Sequence, residues 1–390
     1  LSLPPFNFFL INFFTFSIFF IFLFKKLNHQ TSKLSFFYYG WLFGFSFFLS
    51  GLYWITISLT FDESFNFLIP IALLLIPSFL ALFYAMITLF FYLFKPNNIL
   101  SAFFLFSLLF GVIEFIRGII LTGFPWNLII YSFSENLNFI SVISVIGTYS
   151  LNLIVISFFT APAIYILRKT RIEILIIIFL LVLPILFISY GKFQKKEFLN
   201  SELKENPYTI RIIGSNISLE RFYDDSKTEN IINELILLSL PEKEKKILFV
   251  WPEGIIPNTY QDELILFDDL IRQHFNENHL IALGTTSREI IEGKYKYYNS
   301  FSLFDNNLNL IDNYNKINLV PFGEFLPFEN FFNKIGLRPI SNKIESFSKG
   351  DIRKILEIGN EYPQFKFLPL ICYEIIYSGN LTKNFNFDFI

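Results

Sequence analysis

Residues 171–200 read RIEILIIIFLLVLPILFISYGKFQKKEFLN, and the fold turns on how this stretch is divided. Residues 172–190 are dominated by Ile, Leu and Phe. As a helix they cross a bilayer core, which is about 30 Å thick and needs roughly 20 apolar residues. From Gly191 onward Lys192, Lys195 and Lys196 bring in the mixed charge of a soluble surface. The composition of the whole chain divides here. Residues 1–190 carry long Phe, Ile and Leu runs, whereas 191–390 have globular character. The expected architecture is a multi-span helical membrane domain, 1–190, followed by a layered α/β domain, 191–390.

Working upstream, five further apolar stretches are long enough to span: 6–24, 36–58, 68–94, 99–121 and 138–167. With 172–190 they make six. Lys25, Lys26 and Lys33, then Lys95, then Arg168, Lys169 and Arg171 occupy one set of loops. Asp62, Glu63 and Glu135 occupy the other. Basic loops stay in the cytoplasm, which puts residue 1 and everything after residue 190 outside, in the periplasm of a diderm bacterium. A chain that starts outside needs an earlier element to bring it there, and the first span lacks the charged leader of a signal peptide. Inside the fourth span, Glu114 and Arg117 share a helix face at a spacing of three and can neutralise each other. A headgroup contact near the outer surface is the sharper alternative. The loop that follows, with Trp126, carries an interfacial residue.

Downstream, short apolar runs alternate with amphipathic ones. Strands are expected at 209–213, 247–251, 280–283 (ending at Gly284-Thr285), 297–304, 308–312 and 365–371, with a turn at Asn306-Asn307. Helices are expected at 226–240 and 262–275. The net charge of −2 leaves no nucleic-acid footprint. The single cysteine, Cys372, excludes an intrachain disulfide. No H-E-x-x-H, P-loop or G-x-G-x-x-G pattern calls for a metal or nucleotide cofactor.

Three segments place reactive groups just past strand ends, where layered folds build their sites. Glu253 stands between Pro252 and Gly254 after the second strand. Lys316 precedes a Pro/Gly-rich loop, 321–327, that holds Glu324. Cys372 ends the last strand. Taken singly, a turn acid, an edge-strand lysine and a buried free cysteine are ordinary structural residues. Their conjunction points to chemistry, because a thiol nucleophile needs a base for its proton and a cation for the thiolate and oxyanion. Histidine is scarce: His29 lies on the cytoplasmic side, and His274 and His279 flank a helix-to-strand connection without other reactive groups. A Glu base and a Lys cation remain.

The runs WPEG at 251–254, YNKINLVPFGEFLP at 314–327 and CYE at 372–374 resemble the Glu, Lys and Cys motifs of the nitrilase superfamily. The second run is similar to the apolipoprotein N-acyltransferase family in particular. So are Glu114-x-x-Arg117, TGFPWN at 122–127 and GTYSL at 147–151. The resemblance implies an αββα sandwich for the soluble part. It assigns nucleophile, cation and base to Cys372, Lys316 and Glu253, an essential loop acid to Glu324, and supporting roles to Tyr373 and Glu374. An aromatic after the first strand falls at Tyr223 or Phe222. The implied reaction moves an acyl chain from a phospholipid donor to the N-terminal amine of a diacylglyceryl-modified lipoprotein, at the bacterial inner membrane with the site facing the periplasm. The family also has a helix before the first span seen here, and further strands and a closing span after the nucleophile. The resemblance therefore implies a fragment cut at both ends, incomplete in its catalytic domain and inactive as it stands.

Two other functions compete. A membrane-tethered nitrilase-type amidase would use water as the second nucleophile. A transporter with an appended binding domain would need charges and paired broken helices at mid-membrane, and only Glu114 and Arg117 are charged deep in a span.

Overall fold

The computed structural model describes residues 1–27, 29–61, 63–202, 208–217, 228–327, 346–358, 365–377, 379, 381 and 386–390. Two compact units, Leu1–Glu202 and Leu203–Ile390, account for the chain.

The first unit is helical: α1 (Ile11–Leu27), α2 (Lys33–Leu52), α3 (Ile69–Phe94), α4 (Ile99–Ile119), two single turns α5 (Leu137–Ile140) and α6 (Ile143–Ile146), α7 (Thr148–Leu167) and α8 (Arg171–Asn200). Among the described residues, five helical stretches are long and apolar enough to cross a membrane, and α1 adds a 17-residue apolar helix. This is a multi-pass membrane protein. Polar caps fix several starts. Ser32 accepts from the Ser35 amide at 3.2 Å and Asn98 from the Ser101 amide at 2.8 Å, each satisfying an orphan donor of a first turn.

Some boundaries differ from the apolar runs. The stretch expected as one span over 138–167 is broken at Gly147, whose φ of 80° and ψ of 161° no helix contains. The continuous helix starts only at Thr148. The second span is α-helical to Leu52 and continues as a 3₁₀ turn over Tyr53–Thr60. The last helix runs ten residues past the compositional change at 190, because nothing in GKFQKKEFLN breaks it.

Close packing of α2 on α3 depends on Gly40 and Gly44, one turn apart. A Cβ at Gly40 would lie 2.2 Å from Thr88 Oγ1 and 2.3 Å from the Tyr84 carbonyl. Small residues at this spacing let two backbones touch where no hydrophobic drive exists between helices. Thr88 Oγ1 adds a 2.6 Å bond to the Phe36 carbonyl.

The second unit is a layered α/β structure. A five-stranded mixed sheet has the order β1 (Thr209–Ile212), β2 (Ile247–Val250), β3 (His279–Ile291), β4 (Lys294–Phe304), β5 (Leu310–Asn315). The first three strands are parallel and the last two antiparallel. A second sheet pairs β6 (Leu356–Ile358) with β7 (Phe365–Phe367). Period-two alternation sorts the side chains. Ile247, Phe249, Ile281 and Leu283 pack on α9 (Thr228–Ser239) and α10 (Asp268–His274). Leu248, Leu280, Ala282 and Leu303 face Leu356, Ile358, Phe365 and Phe367 of the second sheet. β2 lies inside the sheet and is covered on both faces, which is why it reads as the unbroken apolar run ILFV.

The expected end of the third strand at Gly284-Thr285 is wrong. β3 continues to Ile291, held by an antiparallel register that pairs Gly284 with Phe301 and Ile291 with Lys294. Gly284 marks a close approach rather than a turn: a Cβ there would meet the Glu253 Cα at 2.7 Å. The last strand is shorter than 365–371, since only Phe365–Phe367 finds a ladder partner in β6. The helix expected over 262–275 is a 3₁₀ segment, Gln261–Phe267, before α10.

Candidate active site

The candidate residues sit on the turns and loops that follow β2, β5 and β7. β2 ends at Val250, and the Trp251 amide still donates to the Ala282 carbonyl at 2.8 Å. The chain then turns through Pro252 and Glu253 to Gly254, whose φ is 58°. Trp251 anchors the turn from below, its indole Nε1 donating to Ser239 Oγ at 2.9 Å. Glu253 is left exposed with its backbone against Gly284.

Lys316 directly follows β5. Its amide donates to the Asn299 carbonyl at 2.8 Å, and its carbonyl accepts from the Gly350 amide at 2.9 Å. Its side chain is 1% exposed, and a lysine is buried to that degree only with a counter-charge. That partner is Glu324, whose Oε1 lies 2.9 Å from Lys316 Nζ. Glu324 is itself fixed by its loop. Its Oε2 accepts from the Val320 amide at 2.8 Å, and its own amide donates to the Val320 carbonyl at 2.9 Å.

Cys372 opens a 3₁₀ turn, Cys372–Ile376, with φ at 51°. A non-glycine residue in this left-handed region is uncommon and strained. The thiol is solvent-exposed. Its pKa is nevertheless raised, first because surrounding atoms withhold water, then by the negative charge of Glu253; Lys316 pulls the other way, and Glu324 adds a smaller upward push. At neutral pH the group is therefore a thiol that needs a base.

Glu374 fastens this turn. Wholly buried, it accepts from the Ile317 amide at 3.0 Å, the Asn318 amide at 3.1 Å and the Ile371 amide at 3.0 Å. Tyr314 Oη donates to it at 2.9 Å and Arg353 Nη2 at 3.2 Å. One carboxylate thus ties the lysine segment, the cysteine turn and the 350s strand entry together. Tyr373 donates from its hydroxyl to the Leu319 carbonyl at 3.1 Å and receives the Tyr377 hydroxyl at 2.6 Å. Its ring lies 5.6 Å from Lys316 Nζ, in cation–π range. Burial raises the pKa of both phenols, so they stay protonated donors across physiological pH.

Glu253, Lys316, Glu324, Cys372, Tyr373 and Glu374 thus lie together. Tyr223 and Phe222 fall among residues 218–227, outside those described. Glu114, Arg117 and Trp126 belong to the first unit. There Arg117 Nε donates to Glu114 Oε2 at 2.7 Å, with a second bond from Nη2, while Tyr84 Oη donates to Glu114 Oε1 at 2.6 Å. Arg117 Nη1 caps the Phe124 carbonyl. Both charged groups are buried, the geometry of a self-neutralising pair. Trp126 packs on Trp54, ring centres 5.7 Å apart.

Sequence reasoning overlooked Asn299 and Arg353. Asn299 Nδ2 donates to Glu253 Oε1 at 2.7 Å and to Glu324 Oε1 at 2.6 Å. The available signal was an amide interrupting the alternation of YYNSFSLF at 297–304. The histidines take no part in this cluster: His279, buried at the start of β3 opposite Ile247 and so at the far end of the strand from Gly284 and Glu253, accepts from the Asn276 amide and pairs through Nε2 with the Glu242 carbonyl, and desolvation lowers its pKa. Among the described residues no group of His, Cys, Asp and Glu could hold a metal ion.

Comparison with known proteins gives a consistent match. Residues 1–161 fit the family model described as apolipoprotein N-acyltransferase N-terminal domain, and 209–386 fit carbon-nitrogen hydrolase. A curated protein of Brucella melitensis biotype 1, "Apolipoprotein N-acyltransferase", is 30% identical over 355 residues, 88% of this chain and 64% of the relative. One of the same name from Allorhizobium ampelinum is 28% identical over 399 residues, 98% of this chain and 73% of the relative. The chain thus spans a little under two thirds of the Brucella protein's length. Among solved structures, an N-terminal amidase matches at 12% identity over 41% of this chain and 38% of its own, with a TM-score of 0.23.

Proposed function

Because the chain belongs to the apolipoprotein N-acyltransferase family, we propose that it moves a fatty acyl chain from a phospholipid to the N-terminal amine of a diacylglyceryl-cysteine lipoprotein. The observation that carries this reading is the exposed Cys372 beside a buried Lys316–Glu324 pair and the Glu253 carboxylate. In the first half-reaction Glu253 takes the Sγ proton as sulfur attacks the donor's ester carbonyl. The carbonyl electron pair moves to oxygen, where the Lys316 ammonium stabilises it. The tetrahedral adduct collapses, the glycerol oxygen leaves with the proton from Glu253, and a thioester remains. In the second half-reaction the lipoprotein amine attacks the thioester carbonyl, Glu253 takes the amine proton, and the thiolate leaves and is reprotonated. The relatives' names favour this acyl transfer over hydrolysis by an amidase and over transport.

Incubation of the purified full-length protein with phospholipid is expected to load one acyl chain on Cys372 as a hydroxylamine-labile thioester, read by intact-protein mass spectrometry. The Cys372→Ala variant carries none. An equal adduct on that variant removes Cys372 from the mechanism.

The proposed location is the inner membrane, with the catalytic unit facing the periplasm. The loop charges support it, since Lys25, Lys26, Lys33 and Lys95 share one side. Single cysteines placed at Lys33 and at Asn258 in the Cys372→Ala background are expected to differ toward a membrane-impermeant maleimide in spheroplasts. Only the Asn258 site reacts; the reverse pattern overturns the orientation.

A further inference from the structure

A primary amide nitrogen carries two hydrogens, and in Asn299 both go to carboxylates, one to Glu253 and one to Glu324. The same residue accepts the Lys316 amide through its backbone carbonyl. Its place is fixed by β4, where it stands opposite Thr286 of β3 and is buried. Flipping the amide would turn its oxygen onto two carboxylates, so the orientation is set by charge as well as by packing.

Resting on the acyl-transfer reading above, we propose that Asn299 is a positioning residue for that reaction: its carboxamide joins the base Glu253 to the Lys316–Glu324 pair and shields their like charges from each other. Holding Glu253 by Oε1 fixes the carboxylate in register with the thiol and leaves Oε2 to act as proton acceptor. It also limits the negative potential at Cys372. The charges that act on the thiol come from three elements: Glu253 after β2, Lys316 after β5 and Glu324 in the 320–327 loop. The other titratable groups of the turn, Tyr373, Tyr377 and Glu374 with Arg353, are bonded to groups other than Asn299.

Two variants of the whole chain test this. Asn299→Asp is isosteric but replaces the donor by a third carboxylate, and Asn299→Ala removes it. Cys372 is the sole cysteine, so its alkylation by iodoacetamide as a function of pH reads the thiol directly and needs no substrate. In Asn299→Asp the alkylation midpoint is expected to rise by about one pH unit or more, as a like charge opposes thiolate formation. In Asn299→Ala the first-order rate of thioester loading is expected to fall on the order of a hundredfold, the scale for misplacing a catalytic group by about 1 Å. The phospholipid concentration for half-saturation stays unchanged. Fluorescence melting curves matching the parent confirm that either variant is folded, and if one is not, the other decides. An alkylation midpoint in Asn299→Asp that coincides with the parent, or loading by Asn299→Ala at the parental rate, overturns the proposal. If the full-length parent protein itself loads no acyl chain, it is the acyl-transfer reading that fails, and the alkylation comparison still decides the role of Asn299.

Discussion

Lys316→Met is expected to lower the rate of thioester loading on the order of a thousandfold, the scale of losing one preorganised oxyanion donor. Two effects add to the lost electrostatic stabilisation. Lys316 is a positive charge that holds the Cys372 thiol pKa down, beside the Tyr373 amide, so its removal leaves Glu253 and Glu324 to raise it further. The substitution also strands Glu324, whose side chain is 9% exposed and, among the described residues, would keep Asn299 and the Val320 amide as partners. Breaking one side of a buried pair costs about 3–5 kcal/mol, so the loop over 320–327 loosens as well. Single-turnover loading from a fixed phospholipid concentration, followed by mass spectrometry, measures the effect. Lys316→Arg separates charge from shape: a guanidinium keeps the pairing but is broader than the ammonium, and intermediate rates are expected. Loading by Lys316→Met within tenfold of the parent would exclude the lysine as oxyanion partner.

The largest effect on stability is expected from Glu374→Ala. Its carboxylate, fully buried, receives three backbone amides, a tyrosine hydroxyl and an arginine. Each buried donor left without an acceptor costs about 1–3 kcal/mol. The partly relaxed total is put at about 3–5 kcal/mol, as for an orphaned buried ion. For a unit of this size that corresponds to a drop in melting temperature on the order of 10 °C. Trp251 supplies the probe. It is the only tryptophan of the second unit, so phenylalanine at Trp41, Trp54 and Trp126 leaves a single reporter beneath the Glu253 turn. Glu374→Gln keeps an acceptor oxygen and is expected to fall between. An unchanged Trp251 transition in Glu374→Ala would show that the cysteine turn is held by something else.

The parts of the molecule legible in the sequence are those that local chemistry dictates. Apolar runs of about 20 residues could only be spans, and a buried parallel strand had to read as ILFV. Lys316 was visible because it follows a strand directly, and Glu253 and Cys372 because each stands a few residues past an apolar run. What was not legible depends on partners distant in the chain. β3 runs on to Ile291 only because β4 pairs with it, and nothing within 279–291 announces the extra turnless stretch. Gly284 reads as a strand end until the Glu253 backbone is seen against it. Asn299 looks like one more polar residue in a half-buried strand, and its two carboxylates come from positions 46 and 25 residues away. Arg353 meets Glu374 across 21 residues. Glu114 and Arg117 were readable as a pair from their spacing, but the Tyr84 hydroxyl and Phe124 carbonyl that complete it were not.

That pair has a consequence for biogenesis. An arginine presented alone at the middle of a membrane helix opposes insertion by about 2.5–3.5 kcal/mol, and by less toward the helix end, where Arg117 stands in the last turn of α4. In α4 the neutralising carboxylate stands three residues earlier on the same helix, so it emerges from the ribosome just before the arginine does. The segment can enter the lipid phase as a charge-neutral unit while its neighbours are still being sorted. Tyr84 sits on α3, the preceding helix, and has already been synthesised when Glu114 appears. The polar cluster can therefore close in the order of translation, with each new ionic group meeting a partner that the nascent chain has already delivered.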